Sequence, residues 1–403
     1  MKILLYAINY SPELTGIGKY SGEMARWWAA RGHEVRVVTA PPYYPDWKVW
    51  PGYAAHGYRR SREEGVTVTR CPLYVPSRPS ALKRILHLAS FSLSSLPVVL
   101  AQLRWKPDLV ILLVPTLFCA PQALLTAKLC KARAVIHIHD YEVDAMFGLG
   151  MAKGKGLKRI AYWLEKTIFK AFDKVSAVSI NMLQRAEQKG VPKEKLCFFP
   201  NWSEISRFKD VQRSSALLET LGVDPSRKVL LYSGTIGAKQ GLENVIEAAR
   251  RMRARTELVF LIVGDGAGKG RLVDLAKQYD LDNVIFAPLQ PYDVLPELLA
   301  SADCHLVVQK IGVADAVLPS KLTNILAVGG NAVITADSQT NLGMLCSEYA
   351  GIAVRVEPES VDALIEGIEH TLAMPEKNVI ATGYAQEFLD KDKILTRFLA
   401  EVV

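Results

Sequence analysis

The sequence predicts an α/β protein built of two Rossmann-like parallel-sheet domains in tandem, facing each other across a cleft. Three observations carry the prediction. Short apolar runs alternate with helix-period segments along nearly the whole chain, the pattern of parallel sheets with crossover helices. At 403 residues the chain is long enough for two or three cores of ordinary size. Its charge is also divided: residues 1–200 hold 29 Lys and Arg against 14 Asp and Glu, and residues 201–403 hold 20 against 27. With half the residues apolar and 22% charged, a disordered chain is excluded.

Taken in order, residues 2–8 form the first strand and enter a loop carrying Gly16 and Gly18. An amphipathic stretch over 20–30 stops at Gly32, and a second strand covers 34–39. Further strands are predicted at 108–114, 134–139, 174–177 and 197–199. Pro200-Asn201-Trp202 and the polar stretch to Arg227 read as a connector. A second series opens at Lys228, with strands at 229–232, 258–263, 284–286, 305–308, 332–335 and 353–356. The expected domains are 1–203 and 204–380, followed by a segment 381–403 whose helical stretch packs back across the hinge.

The basic first half calls for an anionic partner, and the arrangement of its cations favours an anionic membrane surface over nucleic acid. Residues 154–174 (GKGLKRIAYWLEKTIFKAFDK) read as a basic amphipathic helix, with Ile160, Trp163, Leu164, Ile168 and Phe172 near one face. The alternative is a layer helix with a core face and a solvated lysine face. Residues 85–103 carry no formal charge, yet His87, four serines, Gln102 and Pro97 make them a poor membrane span. They fit a membrane interface or a buried helix. Met1-Lys2 leads straight into a strand, so no signal peptide is expected. Six scattered cysteines form no CxxC pair, which argues against a zinc site or a disulfide framework. The expected location is the cytoplasm, peripheral on the inner face of the membrane.

The opening loop does not complete G-x-G-x-x-G, because Ser21 precedes Gly22. A nicotinamide site also needs an acid after the second strand, where this chain reads Thr39-Ala40-Pro41-Pro42. The glycines are better read as letting backbone approach a ligand at a helix N-terminus. GDGAGKGRL at 264–272 is no Walker loop, since Lys269 is followed by Gly270; Gly264 and Gly266 serve either a tight turn or ligand contact. Asp280-Leu-Asp282 and Asp390-Lys-Asp392 have metal-binding spacing but fall at helix ends or in the tail.

Two stretches of the second half point to a phosphate. SGTIGAKQGLENVIEAA places Lys239 in a glycine loop ahead of a helix. DAVLPSKLTNILAVGG starts a short helix at Pro319-Ser320 with Lys321 in its first turn, where a cation opposes the helix dipole and a diphosphate would offset that cost. The alternative is a lysine reaching solvent. Asn324 shares a face with Ser320 and is placed to reach a ribose. In the first half, VIHIHDYEVDAM ends a strand with His137, His139, Asp140 and Glu142, at the carboxyl end where open sheets bind ligands.

At this point the chain resembles the two-domain GT-B sugar-nucleotide glycosyltransferases of family 4, nearest to those of bacterial exopolysaccharide (colanic acid) biosynthesis. The likeness runs almost end to end and is carried by NYSPELTGIGKYSGEMARWW, TAPPYYPDWKV, RCPLYVPSRPSALKRILHL, HDYEVDAMFGLG, FFPNWSEISRF, LYSGTIGAKQGLENVIEAA and LVVQKIGVADAVLPSKLTNILAVGGNAVIT. The resemblance implies a sugar-nucleotide donor held by the second domain, GDP-fucose in the nearest subgroup. It implies a polyprenyl-diphosphate-linked sugar acceptor at the first domain, and metal-independent transfer with retention. It makes His139 and Asp140 the polar pair beside the reacting sugar, and Glu142 joins them as a catalytic candidate because either carboxylate can steady the sugar cation or receive the acceptor's proton. Gly16, Gly18, Gly234, Thr235, Lys239, Gly264, Asp315, Ser320, Lys321 and Asn324 become the donor-binding ones.

The chain departs from the family pattern in three places. Thr235 replaces an arginine after the strand-end glycine, Gln240 replaces a lysine before the helix glycine, and the glutamate pair spaced by seven is missing, with Asn324 at its second position. The cationic role then falls to Lys239 or Lys321. The same architecture also fits a sugar-nucleotide epimerase or a membrane-bound assembly subunit with a regulatory nucleotide site.

Overall fold

The computed structural model describes all residues except 14–15, 79, 149–153 and 313–317. It divides into two compact units, Met1–Pro200 with Leu395–Val403, and Asn201–Ile394. The first break thus falls three residues before the expected boundary, and the last nine residues count with the first unit.

The first unit holds an eight-stranded sheet: β1 Lys2–Tyr6, β2 Glu34–Thr39, β3 Arg59–Glu63, β4 Val66–Arg70, β5 Leu109–Val114, β6 Arg133–Ile138, β7 Lys174–Ala177 and β8 Leu196–Phe198. Their order is β3-β4-β2-β1-β5-β6-β7-β8, parallel throughout except for the β3–β4 pair. Every residue of β5 is buried, as expected for a parallel strand covered on both faces.

The β3–β4 hairpin lies outside the strands that apolar periodicity predicts. Strand β3 reads RRSRE, with no apolar face, because it is an edge strand guarded by charge. Glu64 and Gly65 both take positive φ, forming the two-residue turn that suits a twisted hairpin. Arg70 then bridges the hairpin to Glu63 and donates to the Ser11 carbonyl at 2.7 Å, fastening it to the loop after β1. At the other end of the chain, Phe398 stacks on Phe199 at 3.7 Å between ring centroids and on Trp28 at 6.3 Å, both within this unit.

The second unit holds a six-stranded, all-parallel sheet: β9 Lys228–Ser233, β10 Leu258–Val263, β11 Val284–Ala287, β12 Cys304–Val307, β13 Ala332–Thr335 and β14 Val354–Val356, in the order β11-β10-β9-β12-β13-β14. Strand β10, LVFLIV, is buried along its whole length. The stretch expected as a connector is instead part of this unit. Phe208 and Leu218, on the short helices Ile205–Phe208 and Ser215–Thr220, are fully buried in its core. Val223 is buried there too, and Ile205, Leu217 and Leu221 pack against the same core, so scattered apolar residues anchor a segment too polar to show a long helical periodicity.

The two Asp-x-Asp pairs serve local structure. Asp280 takes positive φ in the turn after the helix Lys269–Gln278, and Asp390 Oδ1 accepts from the Lys393 N–H at 2.9 Å at the start of the last helix, Lys391–Val402.

Candidate active site

In the second sheet the strand order reverses between β9 and β12, so their carboxyl ends open the crevice where parallel sheets take ligands. Two glycine loops line it. The Gly234 N–H donates to the Val263 carbonyl at 3.0 Å and the Gly264 N–H to that of Ala287 at 3.1 Å. The loops are bound to each other as well, Ile236 N–H to the Asp265 carbonyl at 2.8 Å and Gly268 N–H to the Ile236 carbonyl at 3.0 Å. A Cβ on Gly264 would overlap the Gly234 carbonyl oxygen, and one on Gly266 the Ile236 carbonyl oxygen. These glycines therefore allow close packing of backbone on backbone between the two loops.

The helix Ser320–Val328 begins after Pro319 with no side-chain cap on its first N–H groups and ends at left-handed Gly329. Lys321 in its first turn lies over Tyr232, its Nζ 4.2 Å from the ring centroid. The same Nζ is 3.6 Å from where a Cβ on Gly234 would sit, an ordinary contact distance, and it is the φ of +144° that calls for glycine there. Tyr232 is fixed in turn by donating its hydroxyl to the Thr235 carbonyl at 2.5 Å. Burial pushes Lys321 down to about 8, and among the described residues no carboxylate pairs with it. A desolvated ammonium beside uncapped helix N–H groups suits a diphosphate.

Around this cation the other candidates are arranged less closely. Thr235 and Lys239 are exposed on the loop after β9. The Lys239 carbonyl accepts from the Lys310 N–H at 2.9 Å, and the Lys310 side chain covers Gly241. Gln240, standing where the family has lysine, braces the loop by accepting from the Gly237 N–H at 3.2 Å. Ser320 opens the helix. Asn324 is buried and accepts from Ser203 Oγ at 2.9 Å through its carboxamide oxygen. Asp315 lies outside the described residues. Sequence reasoning missed Tyr232 and Lys310, because a strand residue reaching a helix ninety positions later leaves no local pattern.

In the first sheet the order reverses between β1 and β5. Gly16 starts the helix Gly16–Ala30 at positive φ with open space where a side chain would be. At Gly18 the place a Cβ would take is filled by the Glu13 side chain. Glu13 is buried and clamps the neighbourhood, accepting from the Tyr43 and Tyr44 N–H groups at 2.9 and 3.0 Å and from Asn9 Nδ2 at 2.9 Å. Burial still holds its carboxyl above the usual range.

Strand β6 delivers His137, His139, Asp140 and Glu142. His137 belongs to the core, Nδ1 at 3.0 Å from Ser176 Oγ and its ring 4.8 Å from that of Phe199. The His139 ring lies edge-on to His137 at 4.4 Å, with Nε2 buried and unpartnered. Burial drops His139 to about 3, so the ring is uncharged near neutrality. Asp140 is at an exposed loop position; desolvation by the surrounding chain raises its carboxyl, the Tyr141 N–H opposes this, and Asp144 adds like charge. Glu142 is raised to about 8, chiefly by desolvation, although it accepts from the Leu117 N–H at 2.6 Å.

A charged cluster supports this segment. Asp144 accepts from Tyr162 at 2.6 Å, Arg185 at 3.0 Å and Lys189 at 3.0 Å, and Lys189 also pairs with buried Glu165. It ties the helix Glu142–Gly148 to the helices Lys155–Ala171 and Ile180–Gln188. No group of three or more His, Cys, Asp or Glu gathers to hold a metal among the described residues.

Two parallel-sheet α/β units in tandem define the GT-B class of protein. Residues 15–202 match the Glycosyl transferase 4-like domain and residues 216–388 the Glycosyl transferases group 1 family. The chain is 59% identical over its full length, and that of the relative, to the putative colanic acid biosynthesis glycosyl transferase WcaI of Escherichia coli K12. It belongs to glycosyltransferase family 4, the group 1 transferases, and is a glycosyltransferase. Solved structures share the fold at low identity. HepE of Anabaena in complex with UDP superposes with a TM-score of 0.67 at 16% identity, over 99% of each chain. Sucrose-phosphate synthase of Thermosynechococcus elongatus superposes with a TM-score of 0.70 at 15% identity, over 99% of this chain and 97% of its own.

Proposed function

We propose that this enzyme transfers fucose from GDP-fucose, with retention and without a metal, to a lipid-linked saccharide in the biosynthesis of colanic acid. The observation that carries the reading is Lys321, a desolvated cation with no carboxylate partner among the described residues, set beside Gly234 at the crevice of the second sheet. The name of the full-length relative supports the colanic acid setting, and the donor's nucleotide and sugar follow from the family resemblance.

Breaking the sugar–phosphate bond leaves added negative charge on the diphosphate and positive character on the sugar. Lys321 and the uncapped N–H groups of its helix stabilise the leaving diphosphate, with Lys239 at the loop margin. Asn324 meets the ribose. Asp140 steadies the sugar cation or receives the acceptor's proton, and neutral His139 hydrogen-bonds the sugar. The acceptor attacks on the face the leaving group departs from, which preserves the anomeric configuration.

A thermal-shift panel of GDP-, UDP- and dTDP-sugars tests the donor, since a ligand bound only by the native state raises its melting point. GDP-fucose is expected to give the largest shift and to label a polyprenyl-diphosphate saccharide. Release of an isomerised or free sugar with no labelled lipid would overturn transfer.

A pH dependence follows from the same lysine. Lys321 is charged below about 8 and loses its charge above it. A bound diphosphate favours the ammonium, so affinity for GDP is expected to fall by up to about tenfold per pH unit above that point. Calorimetric titration across about pH 7 to 9.5 measures this. A Lys321→Gln variant binds weakly with no such slope.

A further inference from the structure

Three helices of the first unit form a neighbouring set that the transfer chemistry does not use. The helix Ala81–Ala101 packs against the helix Ala120–Cys130, and that one against Lys155–Ala171. An ordinary layer helix turns polar residues outward. The first of these turns apolar residues outward as well as inward. Phe91, Ser95 and Val99 face the core with no exposure, while Leu82 and Leu93 on the opposite side are 66% and 71% exposed. Leu86 and Leu96 continue the same outward stripe at helical spacing. On the second helix Leu125 and Leu129 are exposed one turn apart, with Phe118 just before it.

The basic helix divides differently from the expected amphipathic pattern. Phe169 and Phe172 are buried, whereas Ile160, Trp163 and Leu164 are exposed, Trp163 by 62%. The charge around these residues has one sign. Lys83, Arg84, Lys128, Lys158, Lys166 and Lys170 are exposed on the three helices. Their sole carboxylate is Glu165, buried and paired with Lys189.

We propose that this three-helix face docks on an anionic lipid bilayer, inserting its leucines and Trp163 to the depth of the headgroups with the lysines among the lipid phosphates. Charge complementarity selects this occupant. A second copy applying the same face would meet like charge with no exposed carboxylate to answer it. Nucleic acid would answer the lysines but gain nothing from a leucine stripe. The helix Ala81–Ala101, continuing to Arg104, is long and apolar enough to span a bilayer by length and composition, yet the buried side described above is fixed to the sheet. It therefore lies in the interface plane. This inference stands apart from the choice of donor and acceptor.

The test uses the full-length protein with vesicles of phosphatidylcholine alone or enriched in phosphatidylglycerol. The wild type is expected to float with the anionic vesicles at low salt and not with the neutral ones. Leu86→Gln with Leu93→Gln, and separately Lys166→Glu with Lys170→Glu, are each expected to weaken this about tenfold or more. Melting curves and nucleotide thermal shifts equal to wild type would establish that both variants are folded. Brominated lipid is expected to quench wild-type tryptophan emission, and Trp163→Phe to remove much of that quenching. Failure of the wild type to float with anionic vesicles at low salt would overturn the proposal, as would flotation of the leucine variant at wild-type strength. A wild-type dimer that the leucine variant converts to monomer would overturn it too, by showing a second copy on the face.

Discussion

Replacing Lys321 with alanine is expected to slow sugar transfer by about 100- to 1000-fold while raising the melting temperature of the unliganded protein. The two effects have one cause. The lysine is held where burial pushes it down to about 8, with no carboxylate paired to it among the described residues. A cation in that position disfavours the folded state below about pH 8, so its removal relieves the native protein. The sign follows from the depressed value: the unfolded chain binds the proton more tightly, and stability gained through this group rises between about 8 and the ordinary lysine value. Transfer is expected to suffer because, in the proposed mechanism, the ammonium answers the charge that develops on the leaving diphosphate. Activity assays beside thermal melts separate this account from a structural one. A residue needed only for folding would lower both activity and melting temperature.

Gly264→Ala is expected to destabilise the second unit by about 3 kcal/mol and to abolish nucleotide binding. The added methyl would overlap the Gly234 carbonyl oxygen, which belongs to a rigid backbone segment bonded at Gly234 N–H to Val263 and at Ile236 N–H to Asp265. Relief requires the two loops to part, and parting moves Gly234 away from Lys321. Gly270→Ala provides the contrast. That glycine lies six residues on in the helix Lys269–Gln278 with nothing within 4 Å of its missing Cβ. Alanine there is expected to add about 0.5 to 1 kcal/mol through helix propensity. Urea denaturation followed by probes in each unit reads both effects, since a chain of two units need not unfold in one step.

The strands were largely legible because parallel sheets bury both faces. Runs such as LVILLV and LVFLIV announce themselves without any tertiary information. The hairpin β3–β4 was not, since an edge strand guarded by arginines carries no apolar signal. The segment after Trp202 read as a connector because its core residues, among them Phe208, Leu218 and Val223, are spread over short helices and turns and form no sustained period. The site was legible in part. A lysine in the first turn of a short helix is a local mismatch that sequence alone exposes, and the helix start at Pro319-Ser320 and its end at Gly329 stand where the residues placed them.

By itself the sequence determined the tandem α/β architecture, the family, and the set of polar groups at strand carboxyl ends. These depend on periodicity, spacing and residue type, all of which are local along the chain. Only the tertiary structure decided what those groups touch. It put Tyr232 under Lys321, Glu13 in the space left by Gly18, and Leu117 on the carboxylate of Glu142. It also turned the leucines of Ala81–Ala101 outward rather than into the core. Burial, pairing and desolvation arise from residues far apart in the chain, and they determine whether a charge is solvated, balanced or poised to bind.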